Sequence, residues 1–316
     1  MTATHVAPDR RGQGPWPKLP LAEWRDTQNT LHRWVQIVGK TRLALAPPVN
    51  HWWHITLYPT SRGLTTSPMP SGSRTVEVEL DFIDHNLLVR TGEGATRAMA
   101  LVPRTVADFY REYLALLETL GLPRPRFLPR PSEMEDTILF AEDHQHRSYD
   151  PEYAARCWKA LTQASRVLEQ FRGRFLGKCS PVHFFWGGFD LACTRFSGRT
   201  APPHPGGIPN LPDWVTREAY SHEVSSAGWW PGDARFPEPA FYSYMYPEPP
   251  GFPDARIRPA EAYYHPELHE FLLPYEAVRN AQRPDDLLMQ FFQSTYEAGA
   301  ELGGWDRRAL EREGRS

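Results

Sequence analysis

Two stretches of the sequence share one pattern, and together they decide the predicted fold. Residues Leu176-Gly177-Lys178 and Pro181-Val182-His183-Phe184-Phe185-Trp186 repeat the pattern of Val38-Gly39-Lys40 and Pro48-Val49-Asn50-His51-Trp52-Trp53. In each stretch a Gly-Lys pair ends a helical pattern, and a proline then precedes an aromatic run typical of a strand. We therefore predict an internal duplication.

The segments around these stretches predict an α+β protein. Apolar residues recur with helical spacing in residues 21–38, 106–120 and 150–171, and again after Pro284. Residues 76–82 alternate between apolar and acidic side chains, so Val78 and Leu80 should face the core while Glu77 and Glu79 face water. Further strands are predicted at residues 50–58, 181–196, 242–246 and 271–278. Each copy is thus a helix–antiparallel sheet–helix unit, and we expect pseudo-two-fold symmetry between the two.

The predicted organisation has five parts. Residues 1–19 form a disordered N-terminus, 20–122 the first α+β repeat, 123–149 a proline-rich connecting segment, 150–306 the second repeat with inserted loops, and 307–316 a C-terminal tail. The inserted loops at 199–213 and 236–259 are rich in proline, and long ordered loops often carry binding groups.

Composition restricts the classes of partner. The chain has 316 residues, three cysteines and a net charge of -3, which argues against a disulfide framework and against a nucleic-acid-binding surface. Neither a secretory signal nor a membrane-spanning apolar run is found in the sequence. We therefore expect a cytoplasmic protein with a small-molecule ligand, and neither a nucleic acid nor a membrane as partner.

Three histidines are the candidate metal ligands. By strand parity His183 and His222 lie on otherwise apolar faces, and His265 follows on a neighbouring predicted strand. Together with Glu276 they would suit an open site for a first-row divalent metal. The alternative is that they are separate core histidines, each with its own hydrogen-bond partner. Asp190 and Glu223 have the opposite parity and should face the other side of a regular strand.

Other candidates surround this predicted site. Lys178 and Arg195, with Arg217, would form a cationic rim for a carboxylate or phosphate, or else Arg195 and Arg217 are surface residues of an exposed sheet edge. Lys178, Arg195 and Glu276 are the candidate catalytic residues. Cys179 precedes His183 by four residues, which suits either an activated thiolate or, as an alternative, a small buried thiol. The two Gly-Lys pairs lack the first glycine of a phosphate-binding loop, so we interpret them as helix C-caps.

Several longer motifs resemble an uncharacterised bacterial family classed as a domain of unknown function. They include His51-Trp52-Trp53-His54, residues 171–196, Tyr220-Ser221-His222-Glu223 and Tyr264-His265-Pro266-Glu267. The resemblance covers nearly the whole chain from about Trp16. It implies no activity and no active-site residues.

Two functional hypotheses follow. The first is an enzyme that acts on a small polar or anionic molecule in a pocket of the second repeat, with a metal on the three histidines as one version. The second is a non-catalytic module that binds a ligand or a protein through tryptophan-rich surface. The sequence does not decide whether the protein is an enzyme.

Overall fold

The computed structural model describes residues 14–312, which contain helices and two antiparallel sheets and confirm the α+β prediction. The α-helices are α1 (Leu21–Leu45), α2 (Val106–Thr119), α3 (Pro151–Gly173), α4 (Asp213–Ala219), α5 (Tyr275–Arg279), α6 (Pro284–Leu302) and α7 (Arg307–Leu310). Short 3-10 helices lie at Asn50–Ile55, Phe140–Glu142 and Phe252–Asp254. No helix within these residues is long and apolar enough to cross a membrane.

Each half of the chain contributes one six-stranded sheet. The first sheet contains β1 (Tyr58–Pro59), β2 (Gly63–Thr65), β3 (Met69–Ser71), β4 (Arg74–Asp81), β5 (Asn86–Thr91) and β6 (Thr96–Ala100). Its order is β1-β2-β4-β5-β6, and β3 also pairs with β4. The second sheet contains β7 (His183–Phe185), β8 (Asp190–Thr200), β9 (His222–Trp230), β10 (Ala240–Tyr246), β11 (Tyr263–His265) and β12 (Glu270–Pro274), in the order β11-β12-β10-β9-β8-β7.

The two sheets meet at one antiparallel bridge. Leu57 and Phe184 exchange both backbone hydrogen bonds at 2.9 Å, next to β1 in one half and within β7 in the other. In both sheets, most strands follow their order in the chain with increasing distance from this junction. Each half also starts and ends with a long helix. A duplicated unit would produce this arrangement, but the pseudo-two-fold symmetry stays a prediction.

The two faces of the second sheet have different surroundings. One face packs into the main core against α3 and α6, as shown by the buried Trp229 and by Phe241, whose ring centroid lies 6.1 Å from that of Phe292.

In the first sheet, Val78 and Leu80 are fully buried as predicted. Glu79 does not face water as predicted, because it is only 8% exposed and binds Arg90 at 2.7 Å.

Two predicted aromatic strands have a different structure. Residues 50–55 form a 3-10 turn in which His51 and Trp52 have φ near +60°, a left-handed conformation that no strand contains. The predicted strand 181–196 is a hairpin, because Gly187 and Gly188 lie in the turn between β7 and β8. The two aromatic stretches are therefore not equivalent elements.

Helix and chain ends also differ from prediction. Helix α1 continues through Gly39 to Leu45, so Gly39 and Lys40 lie within the helix and are not its C-cap. A Cβ on Gly39 would lie 2.3 Å from Trp186, so this glycine allows the indole to contact the helix backbone. Of the predicted disordered N-terminus, residues 1–13 lie outside the described residues, whereas Trp16 and Leu19 are buried in the core.

Candidate functional site

A cavity of about 430 Å³ lies on the face of the second sheet that is turned away from α3 and α6. Alternation along β8, β9 and β10 directs small and polar side chains to this face. We call this cavity the aromatic pocket, since its walls include Trp52, Trp53, Phe185, Trp186, Phe196 and Trp214.

Both halves of the chain cover the pocket. The 3-10 turn at Asn50–Ile55 and helix α4 contact each other across one side, and their Trp52 and Trp214 ring centroids are 5.1 Å apart. Residues from the segment 126–133 and from the loop 208–212 also line it. His51, Trp52, Glu133 and Asn210, all lining residues, have positive φ values. Strained backbone of this kind persists where surrounding contacts fix it, and it is often found at binding sites.

Asp190 is the carboxylate at the start of β8. The hydroxyl of Tyr242 on β10 donates a 2.5 Å hydrogen bond to Asp190 Oδ2, crossing over β9. Gly228 on β9 permits this contact, because a Cβ there would lie 2.4 Å from Tyr242 Cζ. Burial raises the pKa of Asp190 to about 6, although the bond from Tyr242 acts in the opposite direction.

Glu133 brings a second carboxyl group to the same place. Its φ is 60°, and its carboxyl group lies over the glycine turn, where a Cβ on Gly187 would be 2.0 Å from Oε1. The Cβ position of Gly188 lies 2.9 Å from Asp190 Oδ1 and 3.9 Å from Glu133 Oε2, so both carboxyl groups flank one glycine. Burial, with the neighbouring charge of Asp190, raises the pKa of Glu133 to about 7.

Lys40 brings a positive charge close to Glu133. Its Nζ donates a 2.7 Å hydrogen bond to Ser132 Oγ and lies 5.3 Å from the centre of the Trp186 ring. Burial lowers the pKa of Lys40 to about 8. Its charge in turn favours ionisation of Glu133, although the two side chains form no direct ion pair. Two titrating groups near neutrality, one acid and one base, are therefore neighbours in the pocket.

The neighbouring tyrosines and Glu270 complete the polar surroundings. Tyr220 and Tyr244, both lining the pocket, share a 2.7 Å hydrogen bond between their hydroxyl groups. Burial raises the pKa of Tyr244 to about 12, so both hydroxyls remain protonated. Burial and the charge of Asp190 raise the pKa of Glu270, on the edge-side strand β12, to about 8. Glu133 and Asp190, whose carboxyl groups flank Gly188, form what we call the carboxyl cluster.

The structure does not bring the three predicted metal ligands together. His183 and His265 lie on the two opposite edge strands, β7 and β11, roughly 24 Å apart at about 4.8 Å per strand. His183 pairs with Ala192 and His222 with Thr200, so these two lie toward opposite ends of β8. A divalent metal stays a prediction, but this histidine set does not form a common centre for it.

Each histidine has its own surroundings. His183 is 1% exposed among Trp53, Tyr58 and Phe185, and burial lowers its pKa to about 3. Its Nδ1 has no hydrogen-bond partner in the part of the chain that the structure describes. His222 Nδ1 lies 3.1 Å from Ser221 Oγ, and His265 Nδ1 accepts a hydrogen bond from the backbone of Leu268.

The three predicted catalytic residues also lie apart. Lys178 Nζ bonds His51 Nε2 at 2.7 Å, beside the pocket and 5.3 Å from the Trp53 ring centre. Arg195 is completely buried on the opposite, core-facing side of the sheet, where its guanidinium stacks 3.4 Å from the centre of the Phe171 ring. Glu276 is exposed on α5 and pairs with Arg279. Of the three, Lys178 alone lies near the pocket.

The sheet face predicted for Asp190 from strand alternation is also wrong. The sequence interpretation placed it opposite to His183, but Asp190 pairs with Phe185 and His183 pairs with Ala192, so all four lie on one face. The hairpin turn at Gly187-Gly188 resets the alternation. Glu133 and Lys40 carry no comparable signal, because the segment around Glu133 was predicted only as a connection and Lys40 only as part of a helix cap.

One other cluster has the composition of a metal site. Ligand atoms of Asp136, Asp143 and His146 lie within 4.8 Å of one another. Arg33 already neutralises this cluster, because its guanidinium lies 2.5 Å from Asp136 and 3.3 Å from Asp143. The cluster is therefore a buried ion-pair network that links α1 to the segment before α3.

The comparisons with known proteins agree with the resemblance seen in the sequence. A search of the curated proteins and of the solved structures finds no match. A family model described as "Family of unknown function (DUF5996)" matches residues 16–312, which is nearly all of the chain. The chain therefore belongs to this family of unknown function.

Proposed function

We propose that the protein binds a small molecule in the aromatic pocket and exchanges protons with it through Glu133 and Asp190. The observation that carries this proposal is that two carboxyl groups, neither in a salt bridge within residues 14–312, share the base of one aromatic cavity. A cavity of about 430 Å³ has the size of a small-molecule site.

The roles of the two carboxyl groups follow from their surroundings. Asp190 accepts the Tyr242 hydrogen bond and is the more acidic of the two, so it is the anion at neutral pH. Glu133 has a pKa of about 7, so near neutral pH about half of the molecules have it ionised and able to accept a proton. The other half have it protonated and able to donate one. Lys40 favours the ionised form of Glu133 and is the third group able to exchange a proton there.

The pocket is also built to keep a bound ligand away from water. Tryptophans from the 3-10 turn and from α4 lie over its open side, and Trp214 is 60% exposed. Large aromatic surface that is exposed without a ligand gains contacts when a ligand fills the space below it. This supports a ligand with a substantial apolar body.

A two-stage experiment tests the proposal. The parent protein, Glu133→Gln and Asp190→Asn are screened by thermal unfolding against a library of small polar and aromatic compounds, with Glu135→Gln as the matched control. Glu135 is exposed and lies two residues from Glu133. We expect compounds that stabilise the parent and Glu135→Gln, and that stabilise the two pocket variants much less.

Compounds from the screen are then incubated with each protein in deuterated water and followed by proton NMR. Exchange or conversion of the compound should be about 100-fold or more slower with Glu133→Gln, which is the usual scale for loss of a general acid–base group. Equal binding by the parent and both pocket variants would contradict the proposed site. Binding without any exchange would instead favour a non-catalytic binding module.

A further inference from the structure

We infer that the ligand of the aromatic pocket is an organic cation, an amine or ammonium group carried on an apolar or aromatic body. This inference rests on the proposed function, because it names the ligand class of the same pocket. Two features support it independently of each other, the unpaired carboxyl groups and the faces of aromatic rings, and an unused hydroxyl group offers the ligand a further polar contact.

Within residues 14–312 the carboxyl cluster has no ion-paired counter-ion. Neither Glu133 nor Asp190 forms a salt bridge there, whereas Asp81 pairs with Arg62 and Glu79 pairs with Arg90. Lys40 binds Ser132 Oγ and not a carboxylate. Buried carboxylates that lack a cation cost free energy, and a cationic ligand would remove this cost when it binds.

The aromatic walls also favour a positively charged ligand. The face of an aromatic ring attracts cations and repels anions. The protein already uses this property twice beside the pocket: Lys40 lies over Trp186, and Lys178 lies 4.9 Å from the centre of the Phe196 ring. The rings of Tyr242 and Tyr244 stack with centroids 6.1 Å apart at the base, beside Asp190. A ligand ammonium there would contact both a carboxylate and ring faces.

Thr216 supplies a hydroxyl group that has no hydrogen-bond partner within residues 14–312. Its side chain on α4 is 2% exposed and lines the pocket. Buried hydroxyl groups without a partner are rare in folded proteins. An ammonium N–H group would donate to this oxygen, and a ligand acceptor would equally accept its O–H, so Thr216 offers a polar contact to the ligand without fixing the sign of its charge.

The positively charged residues of the pocket do not reverse its preference for a cationic ligand. Arg126 lines the pocket but is exposed, so solvent screens its charge. Burial lowers the pKa of Lys40 to about 8, which weakens its charge at mildly alkaline pH, where the carboxyl cluster is most ionised. Besides Glu133 and Asp190, the charged and titratable groups that line the pocket within residues 14–312 are Lys40, His51, Arg126, Tyr220, Tyr242 and Tyr244.

A series of three probes with the same aromatic body and different charge tests the inference on the unmodified protein. Benzylamine, benzyl alcohol and benzoate are titrated at about pH 8 and low ionic strength, with ligand-observed NMR as the readout. We expect benzylamine to bind at least about tenfold more tightly than benzyl alcohol, and benzoate to bind most weakly.

The dependence on pH and on the carboxyl groups provides the second readout. Affinity for benzylamine should fall several-fold from about pH 8 to about pH 5.5, as Glu133 and Asp190 take up protons. The double variant Glu133→Gln with Asp190→Asn should lose the preference for benzylamine over benzyl alcohol, and Glu135→Gln should keep it. A thermal unfolding curve for each variant confirms that it is folded.

Two results would overturn the inference. One is benzoate or benzyl alcohol binding as tightly as benzylamine, which would refute a cationic ligand while leaving the proposed pocket in place. The other is an absence of benzylamine binding at millimolar concentration, whatever the library screen finds. If all three probes bind and the double variant changes none of them, the proposed site itself is refuted.

Discussion

Replacing Glu133 by glutamine should make the protein more stable above neutral pH, although it should damage the proposed site. Glutamine has nearly the same shape as glutamate and carries no charge. The folded protein raises the pKa of Glu133 from 4.5 to about 7, so it holds a proton that the unfolded chain would release. At about 1.4 kcal/mol for each pKa unit, this corresponds to roughly 3 kcal/mol of destabilisation when the proton is lost.

The direction and the pH range follow from these two pKa values. Because the pKa is higher in the folded state, the cost is absent below about pH 4, grows as the pH rises through the unfolded value near 4.5, and is complete above about pH 8. Glu133 keeps partial contact with solvent in the pocket, so roughly 3 kcal/mol is an upper value and we expect a gain of about 1–3 kcal/mol in Glu133→Gln.

Urea unfolding of the parent, Glu133→Gln and Glu135→Gln at about pH 4, 6 and 8 measures this effect. The free energy of unfolding of Glu133→Gln should match that of the parent near pH 4 and exceed it near pH 8, while Glu135→Gln should follow the parent throughout. If the stability difference between Glu133→Gln and the parent stays constant from pH 4 to 8, then Glu133 has no raised pKa and our account of the pocket base is refuted.

Three further predictions test other parts of the structure. Gly228→Ala should displace the Tyr242 ring, since its Cβ would lie 2.5 Å from the Tyr242 hydroxyl, and should lower the melting temperature; an unchanged melting temperature would show that the ring lies elsewhere. Leu80→Ala should cost about 2–5 kcal/mol in urea unfolding because Leu80 is fully buried, and parental stability would contradict the register of β4. Lys40→Met should raise the pKa of Glu133 above about 7 in a carbon-13 NMR titration, because Lys40 favours its ionised form; a lower value would refute the assigned neighbourhood.

Much of the fold could be predicted because its signals are local. Alternation in residues 76–82 predicts a strand and helical spacing in residues 106–120 predicts a helix, and both elements form, although residues 78–81 of the strand are buried on both faces. Residues 50–55 misled the prediction, because His51 and Trp52 have strand-forming aromatic neighbours but left-handed backbone fixed by tertiary contacts. Local propensity carries no information about such contacts.

The candidate site was harder to predict for a related reason. Strand parity is reliable only while a strand is continuous, and the turn at Gly187-Gly188 changes the face to which Asp190 was assigned. The two adjacent glycines were a usable signal for this turn. Glu133 had no such signal, since its position depends on the path of a long connecting segment that the sequence pattern does not determine.

The pocket draws Lys40, Glu133, Asp190 and Tyr242 from positions spread over some two hundred residues of the chain. Neither half of the protein contains all of them, so the pocket exists only after distant parts of the chain have come together, which is the slow part of folding. A ligand that binds there recognises the completed molecule alone. Its binding free energy therefore adds to the stability of the whole chain, by RT ln(1 + [L]/Kd), and occupancy of the pocket becomes a measure of how much of the protein has finished folding.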